Sequence, residues 1–307
     1  MAIQETAQIA QTVLDTPTRR ERTKASNVRW IIRRNPLGVI ALTVVLVIIL
    51  TAILADVIAP YSPTEIHQGY TLAPIGTETE DGRVFLLGTD EAGRDEFSRL
   101  VHGARVSLIA GVLSVLVGTL SGALIGLVSG YYQGALDSVV QKVMESLQAI
   151  PTLILALLFV AVVGRSFINV VIVIGLVQIP VTNRVVRSVV LSLKSETYIE
   201  ASRVVGCSDA RIILRHIAIN VMAPVIVVAT ASLGGAITAE AFLAFLGMGA
   251  PPPTPSWGGM INDARPYMMT SPHLMIAPGV ALSVTVLGWN LAGDTLRDIL
   301  DPRANRS

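Results

Sequence analysis

The chain has 307 residues, 52% of them hydrophobic and 15% charged, with a mean hydropathy of +0.63. Soluble domains are about 25% charged, and one this apolar has too few polar groups to cover its surface, so the composition calls for lipid as solvent. A net charge of +1 excludes a bulk attraction to nucleic acid, and the single cysteine, Cys207, excludes an internal disulfide.

Residues 1–34 are expected to form a cytoplasmic tail. It carries seven bases, Arg19, Arg20, Arg22, Lys24, Arg29, Arg33 and Arg34. It has no apolar core ahead of a small-residue cleavage site, so no removable leader is expected and the first apolar run serves as address and anchor. A spanning helix needs about 20 largely apolar residues. Six runs meet that need, and spans are expected near 37–58, 106–130, 144–164, 167–186, 220–246 and 273–293. Pro151 and Pro180 fall near expected span ends, where a lost backbone donor is tolerated. With both termini inside, 17 Lys and Arg lie in the cytoplasm and six outside, as the positive-inside rule requires. The expected fold is an all-α integral membrane protein with six transmembrane helices and cytoplasmic termini, the last five residues, 303–307, forming a short tail.

In the second run Ala110, Ser114, Gly118, Gly122, Gly126 and Gly130 recur every four residues. Such a stripe lets a neighbouring helix approach backbone to backbone, a main source of helix association in lipid. This helix is therefore expected at the centre of the bundle.

The outer connection, 60–103, is polar and rich in turn residues. Near its end, Asp90, Glu91, Arg94, Asp95 and Glu96 surround two glycines, a pattern for a tight turn and a capped helix start. The charges read either as a surface ion-pair cluster of little energetic weight or as an outer contact. Further on, the Pro-rich segment 251–255 forbids regular helix. Trp257 and Tyr267 after it fit an interfacial anchor in the outer leaflet. Glu240, near the outer end of the fifth run, is an acid at membrane depth and so a functional candidate, with snorkelling to the interface as the alternative.

The inner segment 195–216 is too charged to span. Ser195 is placed to cap a short helix, Gly206 to close it in the left-handed conformation, and Ser208 to cap a second. Ile199, Val204, Val205, Ile212 and Ile213 give this pair apolar surface, and Glu200, Arg203 and Arg211 give it charge. It reads either as a helix pair resting on headgroups or as a knob that docks into another protein.

Enzymatic signatures are missing. No glycine-rich loop leads into Lys and Ser or Thr, so no phosphate cradle is expected. His67, His102, His216 and His273 lack ligand spacing, and no nucleophile elbow occurs.

Glu200-Ala201-Ser202, Gly206 beyond it, and His216-Ile217-Ala218-Ile219-Asn220 together resemble the cytoplasmic EAA loop of bacterial ABC importer permeases. The Gly-Thr-Asp and Gly-Arg-Asp segments with Ser98-Arg99-Leu100, the Phe245-Leu246-Gly247-Met248-Gly249 stretch, and the tail from Asn290 to Pro302 are similar to the dipeptide/oligopeptide branch. The likeness runs from about Arg33 to Pro302 and is nearest to the second permease subunit of dipeptide, oligopeptide, nickel or glutathione importers. Ser202 stands where the family has alanine, and Ala218-Ile219 where it often has Leu-Pro.

The resemblance implies a permease domain over 35–302 in the bacterial plasma (inner) membrane. It implies four partners besides the bilayer: a homologous second permease, two ATP-binding subunits that use ATP and Mg, and an extracytoplasmic solute-binding protein. Tyr198, Glu200, Ala201, Ser202, Arg203, Gly206, Cys207, Ser208 and Arg211 would then couple to the ATPases. Asp90, Arg94, Asp95, Glu240 and Trp257 would serve binding-protein docking or an outer gate. Peptides lead as solute, ahead of nickel chelates or glutathione. A secondary transporter is the rival reading, but the paired inverted repeats it should show are not visible in this sequence.

Overall fold

The computed structural model describes residues 36–300; the expected tails at 1–34 and 303–307 lie outside the described residues. In lipid every backbone N–H and C=O must be satisfied within its own segment, and the apolar runs accordingly become helices. The first gives α1 (Pro36–Ile53) and a one-turn α2 (Ala55–Ile58), separated at Leu54. The outer loop carries a small antiparallel hairpin, β1 (Thr77–Glu78) and β2 (Val84–Phe85). Phe85 is fully buried there, with the rings of Tyr61, His67 and Tyr70 centred 5.1–5.4 Å from its own. The loop thus has a core of its own.

Next comes α3 (Glu96–Tyr132), 37 residues and about 55 Å long. It starts well before the expected 106 and outruns a hydrocarbon layer of about 30 Å. The span expected at 144–164 is not a single helix. Its place is taken by α4 (Gly134–Ala149) and α5 (Thr152–Val163), bent by 95°. Pro151 is the cause: the residue before a proline is driven out of the helical region, and Ile150 sits at φ −94, ψ 132. Among the described residues five helices are long and apolar enough to cross a membrane, or six if the bent pair counts as one span.

Then come α6 (Phe167–Lys194), α7 (Thr197–Val204), α8 (Asp209–Arg211) and a π-helical turn, Ile212–Ile217. The turn runs directly into α9 (Ala218–Phe245). Pro180 lies in the interior of α6, not near a span end as expected. The short α10 (Trp257–Ala264) and the long α11 (His273–Leu300) complete the described residues.

Helix α3 is central, as its small-residue stripe foretells. A Cβ added at Gly118 would lie 2.6 Å from the Gly175 carbonyl oxygen, at Gly122 2.7 Å from that of Ile179, and at Gly126 2.8 Å from that of Asn183. α3 and α6 therefore meet backbone to backbone over several turns, an approach that a side chain at any of these three glycines would prevent. On the opposite face Leu113, Leu116, Leu120 and Leu124 are exposed. Small residues inside and large apolar residues outside are what a lipid solvent selects.

Candidate functional site

Two constructions at opposite ends of α3 gather the functional candidates. The first is the element between α6 and α9. Ser195 does not cap α7; its hydroxyl donates to the Ser192 carbonyl at 2.8 Å, and Glu196 holds the cap position without a side-chain bond. The far end of α7 closes as anticipated. Gly206 has φ +83, its N–H donates to the Arg203 carbonyl at 2.9 Å, and the Cys207 N–H donates to that of Ser202 at 3.0 Å. This paired closure of a helix end needs a left-handed residue, which glycine supplies without strain. Ser208 stands at the cap of α8, with its backbone carbonyl rather than its hydroxyl accepting, from Ile212 N–H at 3.0 Å.

The apolar residues of this element divide in two. Ile199, Ile212 and Ile217 are fully buried against Val186, Val190, Val221 and Tyr131. Val204 and Val205 are 89% and 83% exposed, beside exposed Glu200, Ala201, Arg203 and Arg211. Tyr198 is exposed, its carbonyl accepting from the Ser202 hydroxyl at 2.8 Å; Ser202 and Cys207 are half-buried. The result is a rigidly cored knob with two valines at its tip.

Sequence reasoning missed what holds the knob in place. The Tyr131 hydroxyl at the end of α3 donates to Asp209 Oδ1 at 2.5 Å. Lys194 Nζ donates to the Tyr131 carbonyl at 2.7 Å and to Gln133 Oε1 at 3.1 Å. Lys194 and Arg203 each lie 5.5 Å from the centre of the Tyr131 ring, within cation–π range. No spacing rule links Tyr131 to partners 63 to 78 positions away.

The second construction is the outer junction. Asp95 caps α3, its Oδ2 accepting from Ser98 N–H at 2.8 Å, as the turn pattern foretells. Asp90 Oδ1 accepts from the N–H groups of Ala92 and Arg94, both at 2.9 Å, and its Oδ2 accepts from Arg94 Nε at 2.7 Å. Arg99 Nε lies 3.1 Å from the same Asp90 oxygen, and Arg99 Nη2 3.8 Å from Asp263 on α10. Asp90, Arg94, Asp95, Glu96 and Arg99 are all buried. This is no surface ion-pair cluster, because the loop folds back over it. Gly93 permits that fold, since a Cβ there would stand 2.7 Å from the His67 carbonyl oxygen. Burial holds the carboxyls of Glu91 and Asp263 above the usual carboxylate range, against the pull of Arg94 on the first and of Arg99 and Arg94 on the second.

Trp257 is likewise no interfacial anchor. It is 3% exposed and packs with Ala104, Leu108, Ile237 and Met260, while its Nε1 donates to the Leu100 carbonyl at 3.0 Å. Glu240 does not snorkel outward. It is buried beside the hydroxyls of Ser107 and Ser256, with Oε2 lacking a hydrogen-bond partner among the described residues. The five outer candidates thus lie beneath the surface, where they join the loop, α3, α9 and α10. Among the described residues no group of three or more His, Cys, Asp or Glu is arranged to hold a metal ion.

A family model described as the binding-protein-dependent transport system inner membrane component matches residues 122–306, more than half of the chain. The glutathione transport system permease protein GsiD of Shigella flexneri serotype 5b (strain 8401) is 43% identical over 271 residues, 88% of each chain. The chain belongs to this permease family. A second family model, the N-terminal TM domain of oligopeptide transport permease C, matches residues 25–74. The GsiD protein of Escherichia coli O6:K15:H31 (strain 536 / UPEC) is 41% identical over the same length. A solved structure of the MetNI methionine ABC transporter in an inward-facing conformation shares the fold, with a TM-score of 0.54 and 20% identity over 66% of this chain and 96% of its own. As a member of the family the permease is a multi-pass inner-membrane component of an ABC importer, not an enzyme.

Proposed function

We propose that this permease forms half of the translocation pathway of an ATP-driven importer for short peptides. A homologous second permease supplies the other half. Two ATPase subunits that use ATP and Mg drive it, and an extracytoplasmic binding protein delivers the solute. The observation that carries this reading is the knob on α7 and α8. Exposed valines at a capped turn, on a core fused to α6 and α9, suit a surface that another protein pushes, since force applied there reaches both long helices.

In this arrangement the knob and both termini face the cytoplasm, in line with the distribution of Lys and Arg. The buried outer set of Asp90, Arg94, Asp95, Glu240 and Trp257 serves as part of an outer gate. Closure of the ATPases on ATP displaces the knob, and the bundle passes between outward-open and inward-open states. Glutathione is a tripeptide, and the relatives named for its transport support our taking it as the first solute to test.

Affinity purification from mild detergent tests the assembly. Co-purification of a second permease and one or two ATPases is expected, as is uptake of labelled glutathione by the reconstituted complex with its binding protein. A chain recovered alone that still moves solute on an ion gradient would overturn the reading.

A further inference from the structure

The clamp at the inner end of α3 has no role in the arrangement above, yet four elements meet on its one ring. Tyr131 belongs to α3, Lys194 to the end of α6, Arg203 to α7 and Asp209 to α8. Tyr131 is 4% exposed, and its hydroxyl reaches the carboxylate of Asp209. α3 and α6 are locked together by the glycine contacts, where a Cβ at Gly118, Gly122 or Gly126 would meet opposing backbone at 2.6–2.8 Å. The two helices therefore pack backbone to backbone along this stripe. A knob displaced relative to α6 either carries α3 with it through Tyr131 or breaks the Tyr131–Asp209 bond. The other end of α3 carries Asp95, Glu96 and Arg99 of the outer junction.

We infer that Tyr131 is the positioning residue that passes movement of the knob to α3, and through that rigid helix to the outer junction. The inference rests on the importer reading. A phenol suits this place because its ring gives two cations a face to lie on while its hydroxyl makes a charge-assisted bond, the stronger class of hydrogen bond. Phenylalanine would keep the packing and lose the bond.

The test uses the assembled complex of this permease with its second permease and ATPases. Amide hydrogen exchange is followed over residues 96–105 at the outer end of α3, with ADP and with ATP plus vanadate. In the wild type the trapped state is expected to change exchange there. In Tyr131→Phe, whose ring is buried beneath the knob, the ATPases should co-purify at wild-type yield and still hydrolyse ATP, and in Asp209→Asn the response is read per ATPase bound. The outer-end response should fall by at least about fivefold, the lower range of coupling between sites. The double variant should be no worse than either single one, because both remove the same bond. A full wild-type response in Tyr131→Phe overturns the inference, as does lower thermal stability without a change in the response. A wild type whose ATPases bind and hydrolyse ATP without any outer response overturns it while leaving the importer reading intact. A wild type that retains no ATPase at all removes both.

Discussion

Arg99 stands between Asp90 at 3.1 Å and Asp263 at 3.8 Å, and Glu96 lines the same small cavity. Removing one partner of a buried ion pair costs up to about 3–5 kcal/mol, and less where a second cation stays in place, as Arg94 does at 2.7 Å from Asp90. Arg99→Ala is therefore expected to lower the melting temperature in detergent far more than Arg83→Ala. The latter breaks an exposed 3.7 Å pair with Asp81, of a class that contributes about 1 kcal/mol or less. Burial also gives the junction a pH dependence. Glu91 and Asp263 have raised pKa values in the folded state, so the folded protein holds their protons to higher pH than the unfolded chain. Their stabilising contribution is fully present below the ordinary values of 4.5 and 3.8 and is lost as pH rises through the folded-state values. Amide exchange over residues 88–99, corrected for intrinsic rates, should accordingly quicken as pH rises from about 4, and Asp263→Asn should flatten that trend. At Gly206 a Cβ meets open space, but φ is +83. A valine there would carry backbone strain of about 1–3 kcal/mol without any clash. Gly206→Val is expected to leave the complex assembled and hydrolysing ATP while uptake per ATP falls.

Among the helices, α3 and α6 meet through missing side chains rather than matched ones. Gly122→Ala would force a methyl to within 2.7 Å of the Ile179 carbonyl oxygen, and overpacking of this kind costs about 1–3 kcal/mol. Gly235→Ala in α9 has nothing within 4 Å and is expected to be silent or mildly stabilising, as alanine is the better helix former. Thermal unfolding of the two variants in one detergent compares them directly. The knob between α6 and α9 makes a complementary case. Its core residues set its position, and in the function we propose its exposed Glu200 and Val204 set what it meets. Glu200→Lys should reduce the yield of co-purified ATPase without altering the fold of the permease; an unchanged yield would remove Glu200 from the contact. Ser195 has the residue type of a cap, but the cap of α7 falls one residue later, at Glu196, because the end of α6 takes the Ser195 hydroxyl for its own carbonyl at Ser192.

For the whole molecule, orientation is the property that charge asymmetry predicts. In intact cells a membrane-impermeant maleimide is expected to leave Cys207 unmodified and to label a cysteine placed at exposed Glu80 in the outer loop. The reverse pattern would invert the topology and place the knob away from any cytoplasmic ATPase. The membrane class, the apolar runs, the glycine stripe, the Asp95 cap and the Gly206 turn were all legible in the sequence. Each depends on transfer into lipid or on backbone preference over a few neighbouring residues, and such terms add up along the chain. The 95° bend at Pro151 was not legible, because a run of hydropathy carries no direction. Nor was the burial of Arg94 and Trp257, which follows from a loop folding back and from α10 reaching α3 across more than 150 positions. The sequence alone determined that this chain lives in a membrane and which segments enter it. Only the tertiary structure decided which charges are covered and that Tyr131 meets Asp209, because desolvation and pairing depend on neighbours that distant parts of the chain supply.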